Sequence, residues 1–327
     1  MDASIEIISK VWAHPDADRL ELARILGFQC VVEKGLYKGG ETIVYVRPDA
    51  LLPLEPWAEE YRKYSPKRIK AVKLRGEWSE GVIVPLHKLP VDLSSEAIGI
   101  DVAAQIGVTH YEPPVPSELN AIRPLPFGIP KTDEERWENK IDSMPWGSHV
   151  DISLKIDGQS WSIYYNLETD EFGVLGRTLE YALDSENRYS VHLFRSYPNL
   201  KQQLTDYCKK VGKSLVIRGE SYGLGVQSSK NNPHSKLNPN IAIFSVYNIT
   251  DRKYAHKGDP LYFVNVCKDL GLPTVPILEA DVPLTQELVD KYSIGIEKIN
   301  GQPFEGVVVK HAGGSFKIMS KAYDSLK

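Results

Sequence analysis

The sequence predicts an α+β protein in two parts: a small β-barrel, then a mixed domain of mostly antiparallel strands with helices outside. Three observations predict it. Through about residue 105, short strands and turn signals alternate at close spacing. Residues 106–130 then hold Pro113, Pro114, Pro116, Pro124, Pro126 and Pro130, and proline fixes φ and cannot donate to a strand ladder. Beyond that connector, alternating apolar strands are interleaved with capped helical segments. The expected division is 1–105, a connector over 106–130, and a second domain over 131–327. A chain of 327 residues exceeds one typical domain and has room for two.

Ser4–Val11 reads as the opening strand. His14-Pro15-Asp16-Ala17-Asp18 is a loop in which Pro and Asp supply the bend. His14 reads as a turn or packing residue and not as a catalyst. Leu20–Leu26 and Gln29–Glu33 read as strands on either side of Gly27. Gly39-Gly40 is a turn, Thr42–Val46 a further strand, and Pro48-Asp49-Ala50-Leu51-Leu52-Pro53 closes the unit. The stretch from Tyr61 to Arg75, with Lys67, Arg68, Lys70 and Lys73, has two tyrosines and no acid. It is either a solvated face or a contact surface for nucleic acid.

In the second part, Thr132-Asp133-Glu134-Glu135 is a capping box that predicts a helix through about Ile141. Arg136 lies on it, placed for a surface ion pair or for an incoming phosphate. Val150–Gly158 alternates apolar and polar residues and so predicts a half-buried strand. Trp161, Ile163 and Tyr165 return as a hairpin partner. Asn187–Gly212 reads as helical with a break at Pro198, and Leu215–Glu220 and Ile241–Tyr247 read as strands. Asp259-Pro260 to Leu270-Gly271 is a helix with Asp as cap, Pro at its first position and Gly after its end. Thr285 caps another, expected to run to about Asn300-Gly301. Val307–His311 and Ser315–Met319 are the last strands.

Composition narrows the class. With 42% hydrophobic and 25% charged residues, the chain is an ordinary globular one. A net charge of −4 does not favour coating nucleic acid by bulk charge, although a local groove suffices. No apolar run is long enough to cross a bilayer, and the acidic N-terminus has no signal-peptide core. Cys30, Cys208 and Cys267 are scattered, without metal-ligand spacing. These features predict a reduced intracellular protein, cytoplasmic or nuclear, with no membrane partner.

The chemistry centres on Val150–Gly158. Ile152, Leu154 and Ile156 share one face, and Ser153, Lys155 and Asp157 the other. Lys155-Ile156-Asp157-Gly158 matches Lys-x-Asp-Gly, the signature of covalent nucleotidyltransferases, which include RNA ligases, DNA ligases and mRNA capping enzymes. It is followed in order by Arg177, Arg218-Gly219-Glu220, Phe244 within Ile241–Tyr247, Phe304-Glu305-Gly306-Val307-Val308-Val309-Lys310, and Phe316-Lys317-Ile318. That order resembles RNA ligases from about Pro130 to the end and implies ATP-grasp-like antiparallel sheets. The pieces His14–Leu20 and Lys73–Gly81 resemble the OB-folds of tRNA-binding domains, a fold that hosts many ligands. DNA ligases and capping enzymes place an OB domain after the last lysine motif. Here the OB-like unit stands in front and the sequence ends at Lys327, shortly after Lys317. This order resembles the Deinococcus and Naegleria group of RNA ligases.

The resemblance implies an ATP-dependent enzyme joining 3′-OH RNA to a 5′-phosphate at nicks in RNA or RNA/DNA duplexes. Lysyl-AMP would form first, then an adenylylated 5′ end, as suits RNA repair by a monomer. Lys155 would be the nucleophile, with Lys310 and Lys317 catalytic at the α-phosphate. Arg177, Glu220 and Phe244 would bind the nucleotide, with Phe244 stacking on adenine. Asp157, Glu220 and Glu305 would hold Mg²⁺ or Mn²⁺ through its waters. Strict alternation puts Glu305 and Lys310 on opposite faces, so both line one pocket only if Gly306 turns or bulges. Two departures stand out. Many relatives carry two lysines one residue apart in the last motif; here Lys317 is followed by Ile318 and Met319, and the next lysine is Lys321. RNA ligases often place Glu before the nucleophile, where this chain has Leu154. The alternatives are a guanylyltransferase-like capping enzyme and a non-catalytic RNA-binding OB protein.

Overall fold

The first strands are β1 (Ala3–Ile7), β2 (Lys10–Ala13), β3 (Leu20–Ile25), β4 (Phe28–Glu33), β5 (Thr42–Val46), β6 (Ala50–Leu51), β7 (Val72–Leu74), β8 (Glu77–Ser79) and β9 (Val82–Pro85). They come from a computed structural model that describes residues 1–112, 121–183, 196–226, 231–296, 298–299 and 301–326. Two three-stranded sheets, β1-β5-β9 and β2-β3-β4, accompany the β7–β8 hairpin. The expected strand Ser4–Val11 is two strands: Ile7 pairs with Thr42 in one sheet and Lys10 with Arg24 in the other. β5 is buried on both faces. Ile43 and Tyr45 pack with Ile25 and Phe28 on one side, and Val44 and Val46 with Ile5 and Val84 on the other. His14 is buried, with Nδ1 accepting from the Asp16 amide at 3.0 Å and Nε2 3.1 Å from the Leu74 carbonyl. Its role is packing, as expected.

Two segments from later in the chain complete this unit: it comprises Met1–Pro114, Arg136–Met144 and Lys321–Lys327, and the second unit is Val115–Glu135 with Pro145–Ser320. Of the six expected connector prolines, Pro113, Pro114 and Pro116 lie outside the described residues, and Pro124 ends a strand of the second unit. The capping box opens no helix at Thr132. Residues 131–135 are irregular, and a 3₁₀ segment runs over Trp137–Ser143. The acids were drawn elsewhere: Asp133 pairs with Arg177 at 3.0 Å, and Glu134 accepts from Ser315 at 2.8 Å. Arg136 is not on the surface. It is buried and bonded to Asp49 at 3.0 Å and Asp324 at 3.5 Å. The basic stretch is likewise partly internal, because Arg68 pairs with Asp49 and Lys70 donates to the Ser325 carbonyl at 2.9 Å.

Lys321 bonds buried Glu80 at 2.7 Å. Glu138, fully buried nearby, has its carboxyl pushed up to about 7 by burial and by the Glu80 charge, against Arg136 and Lys321. Removing one partner of a buried pair costs more than the pair contributes. Lys321→Ala should therefore destabilise the protein by about 3–5 kcal/mol, read as a lower urea midpoint. A loss under about 1 kcal/mol, the surface-pair range, would show that the two glutamates need no counter-charge.

The strands continue as β10 (Thr109–His110), β11 (Ala121–Pro124), β12 (His149–Leu154), β13 (Gln159–Asn166), β14 (Glu171–Leu175), β15 (Leu179–Tyr181), β16 (Leu215–Tyr222), β17 (Asn240–Asn248) and β18 (Lys253–Tyr254). The last are β19 (Ile277–Pro283), β20 (Lys298–Ile299), β21 (Gln302–Pro303), β22 (Gly306–His311) and β23 (Gly314–Met319). In the second unit, a seven-stranded sheet runs β11-β15-β14-β13-β16-β17-β18, and a four-stranded sheet runs β19-β12-β22-β23. Trp161, Ile163, Leu215 and Ile217 point into one core, covered by helices Leu200–Val211 and Phe263–Leu270. Both helices stop at left-handed glycines, Gly212 and Gly271.

Two helix boundaries depart from expectation, and the start of a third lies outside the described residues. The Asn187–Gly212 helix is described only from Leu200, and residues 187–195 lie outside the described ones. Asp259 accepts from the Leu261 amide at 2.8 Å, but it caps a turn; Tyr262 is extended, so the helix starts at Phe263. Thr285 does cap a helix, accepting from the Leu288 amide at 3.2 Å. That helix closes in a wide turn at Gly295, because the chain then enters the β20–β21 pair. Among the described residues, no helix is long and apolar enough to cross a membrane.

Candidate active site

β12 delivers the central lysine to the junction of three strands. Its register places Asp151 opposite Lys310 and Leu154 opposite Val307, and the Lys155 amide donates to the Gly306 carbonyl at 3.0 Å. The turn that follows needs glycine. A Cβ on Gly158 would lie 2.2 Å from the Ser221 carbonyl oxygen and 2.9 Å from Glu220 Cγ, so only glycine lets this turn lie against β16. The same close approach brings Glu220 to Lys155. Asn232, buried, donates to the Asp157 carbonyl at 2.9 Å and fixes the turn from the other side.

Lys155 Nζ bonds Glu305 Oε1 at 3.0 Å, and both Glu305 and Asp157 are buried. Glu305 reaches the lysine because Gly306 has φ of +150°, where the chain bends into β22. The bend that alternation required is present. Burial by itself would push the Lys155 ammonium down. The Glu305, Glu220 and Asp157 carboxylates outweigh it and hold the group above the ordinary lysine range. Burial pushes the Glu220 carboxyl up to about 8; Lys155 opposes this, and Glu305 and Asp157 reinforce it. Among the described residues no three His, Cys, Asp or Glu side chains stand close enough to enclose a metal directly. The three carboxylates meet around Lys155, and that set suits a hard cation that keeps part of its water shell.

Lys310, opposite Asp151, lies on the sheet face that alternation assigns to Ser153 and Lys155. It is buried, with its ammonium 5.3 Å from the Phe263 ring centroid and no carboxylate bonded to it among the described residues. Its strand partner Asp151 is engaged by Lys257 at 2.6 Å, Tyr262 at 3.0 Å and the Asp281 amide at 3.0 Å. Burial pushes Lys310 down, against Glu134 and Asp151. An amine of this kind is short of an anion. Phe244 lines the same narrow cleft, together with Tyr254, His256 and Ser315. It is the extra residue of a bulge, since Arg218 pairs with Ser245 and Gly219 with Ile243, and a bulge re-aims its side chain.

Lys317 pairs with Val308 and so shares the sheet face of Lys310 and Ser315. Its amide donates to the Glu135 carbonyl at 2.7 Å. Met319 is buried, and Lys321 is committed to Glu80. Arg177 is half-buried and held by Asp133 at 3.0 Å. The structure thus gathers Lys155, Asp157, Glu220 and Glu305 in one place, puts Lys310 and Phe244 in one cleft, and ties Arg177 to Asp133.

Sequence reading missed three residues. His234 packs against Tyr222, with ring centroids 5.8 Å apart, and feels the Glu305, Asp157 and Lys155 charges; burial keeps its imidazole below the usual range. Asn232 and Lys257 were equally invisible. All three lie in or beside loops, where no periodicity signals a shared site.

A lysine ringed by carboxylates at the meeting of two antiparallel sheets is the arrangement of a nucleotidyl-transfer enzyme. The family model described as RNA ligase matches residues 148–325, and the chain belongs to the RNA ligase family. A model of an OB-fold domain matches residues 2–86. Among solved structures, a lysine variant of Naegleria gruberi RNA ligase with ATP and Mn is 26% identical, with a TM-score of 0.82 over 99% of this chain and 98% of that one. Naegleria gruberi RNA ligase with PPi is 26% identical, with a TM-score of 0.79 over 98% and 97%. A variant of the same ligase with AMP and Mn is 25% identical, with a TM-score of 0.80 over 98% and 97%. No curated protein matches the sequence.

Proposed function

We propose that this chain is an ATP-dependent RNA ligase that joins a 3′-OH RNA end to a 5′-phosphate at nicks in RNA or RNA/DNA duplexes, acting as a monomer. The observation that carries the reading is Lys155 in contact with Glu305 and surrounded by Asp157 and Glu220. The ATP, AMP and Mn named for the Naegleria ligase support ATP and Mg²⁺ or Mn²⁺ as its partners here. Three steps follow from the chemistry. The Lys155 nitrogen attacks the α-phosphate and forms a lysyl-AMP bond as pyrophosphate leaves. A 5′-phosphate oxygen then takes the AMP and frees the lysine. The 3′-OH attacks the activated phosphate, joins the ends and releases AMP.

Lysine attacks only when neutral, and the resting charges here oppose that. A divalent cation held by Asp157, Glu220 and Glu305 would supply positive charge that releases Lys155 from those carboxylates and lets its proton go. Lys310 and Lys317, on one sheet face, neutralise the α-phosphate as charge builds. Phe244 offers its ring to adenine from the cleft that Lys310 lines. Arg177 would contact the sugar on leaving Asp133.

The test is covalent labelling. Wild-type protein with Mn²⁺ and ATP labelled at the α-phosphate should gain a label on Lys155, located by peptide mass mapping. Label from GTP alone would make the chain a guanylyltransferase. No label from either nucleotide would make it a non-catalytic binder.

A further inference from the structure

We propose that Asn232 is a positioning residue for the nucleophile: its side-chain amide locks the Asp157–Gly158 peptide and so fixes where Lys155 and its carboxylates point. The inference rests on the ligase reading above and deepens it with a residue that none of its motifs contains.

The ladder of β12 ends at Leu154, and residues 155–157 belong to no strand before β13 opens at Gln159. Lys155 therefore stands on a short irregular span. Its own amide is held by the Gly306 carbonyl at 3.0 Å. The far end of the span is the Asp157–Gly158 peptide. Glycine is required there, because a Cβ would lie 2.2 Å from the Ser221 carbonyl oxygen. The same residue loosens the span. Glycine accepts φ of either sign, so a peptide plane that precedes it turns over easily. Close packing and a fixed lysine thus make opposite demands, and the plane needs an outside hold.

Asn232 supplies it. The side chain is buried, and Nδ2 donates to the Asp157 carbonyl at 2.9 Å. On the other edge of the same peptide, the Gly158 amide bonds the Glu220 carboxylate. A flipped plane would aim the Asp157 carbonyl at that carboxylate, acceptor against acceptor, and break the bond from Asn232. Both edges of one peptide are therefore needed to keep Lys155, Asp157 and Glu220 in register.

The loop around Asn232 sets which way its amide faces. Oδ1 accepts from the His234 amide at 2.8 Å, an Asx turn, which leaves Nδ2 for Asp157. The Ser235 hydroxyl donates to the Asn232 carbonyl at 2.9 Å. The loop folds back on itself where the Leu224 amide meets the Leu237 carbonyl at 3.0 Å. Gly223, at φ of +110°, permits the crossing, since a Cβ there would lie 2.7 Å from Pro239 Cα. β16 thus brings Glu220 to the site, and the loop that leaves the same strand returns to hold the turn after the nucleophile.

The experiment is single-turnover labelling of the full-length protein with Mn²⁺ and ATP labelled at the α-phosphate, over a range of ATP concentrations. Asn232→Ser keeps the turn, because a hydroxyl also accepts from an amide two residues on, but it is too short to reach Asp157. Its rate constant at saturating ATP should fall about 10²-fold, the scale on which a misplacement of about 1 Å acts. The half-saturating ATP concentration should not move, because the amide holds the nucleophile and not the nucleotide. Ser235→Ala, which loosens the loop and leaves the amide in place, should keep the wild-type rate constant. A merely structural loss would lower the labelled fraction and leave the rate constant unchanged, so amplitude and rate separate the two roles. If Asn232→Ser does not fold, Asn232→Gln decides: its amide sits one carbon farther out, and its rate constant should fall at least about tenfold. A wild-type rate constant in the folded variant, an equal fall in Ser235→Ala, or a change confined to half-saturation overturns the inference. Wild-type protein that takes no label from ATP would instead overturn the ligase reading, and the inference with it.

Discussion

Lys155→Ala should lose labelling by ATP entirely, a fall of at least about 10⁴-fold, the scale on which removing a covalent nucleophile acts. Lys155→Arg should fail equally, because a guanidinium does not give up its proton in a protein. Lys155 sits between Glu305 and the turn at Gly158, bonded to that carboxylate at 3.0 Å. Lys310 is packed against Phe263, with no carboxylate bonded to it among the described residues. The same variant should still join a nick whose 5′ end already carries AMP. The lysine is used in the first step and regenerated in the second, so the third step lacks nothing it supplies. Label retained in Lys155→Ala would move the nucleophile elsewhere. Failure on the pre-adenylylated nick would mean that Lys155 also organises the joining step.

What the sequence made legible was what periodicity and close packing write into it. The strand under Lys155, the glycine after Asp157 and the order of the later motifs all follow from local residue types, and the structure places Asp157, Glu220 and Glu305 around the lysine as that order implied. Long-range pairing was not legible. Nothing in Thr132–Glu135 says that its acids will serve Arg177 and Ser315, so a sound capping signal lost to tertiary partners. Arg136 read as a surface ion pair or a phosphate contact because its acids lie far off in sequence, at Asp49 and Asp324. His234 sits in a turn-rich segment whose composition resembles any loop. The basic run Tyr61–Arg75 overstated its own exposure for the same reason: Arg68 and Lys70 found partners at Asp49 and Ser325.

The carboxylates should make both stability and metal binding depend on pH, with a sign the geometry fixes. Glu220 is an acid whose folded pKa is raised, from an ordinary 4.5 to about 8, by burial and by Glu305 and Asp157. The folded state therefore holds its proton more tightly than the unfolded chain does. Stability from this group is fully present below the unfolded value and is lost as pH rises through the folded one. Lys155 adds no slope in that window, because it stays protonated in both states. Metal-free protein should thus melt at a lower temperature at pH 8 than at pH 5.5, and Glu220→Gln, which cannot ionise, should reduce the difference, the remainder coming from Glu138, whose carboxyl is raised as well. Mn²⁺ acts the other way. It needs the carboxylates ionised, so its stabilisation of the wild type should be larger at pH 8 than at pH 6. Asp157→Asn, Glu220→Gln and Glu305→Gln should each lower Lys155 labelling by about 10²–10³-fold, the scale of one electrostatic contact at a reacting centre. Double variants should fall far short of the product of the single losses, because the three groups serve one ion. An unchanged pH slope in Glu220→Gln would place that carboxylate in solvent. Multiplicative losses in the doubles would show that the three act separately.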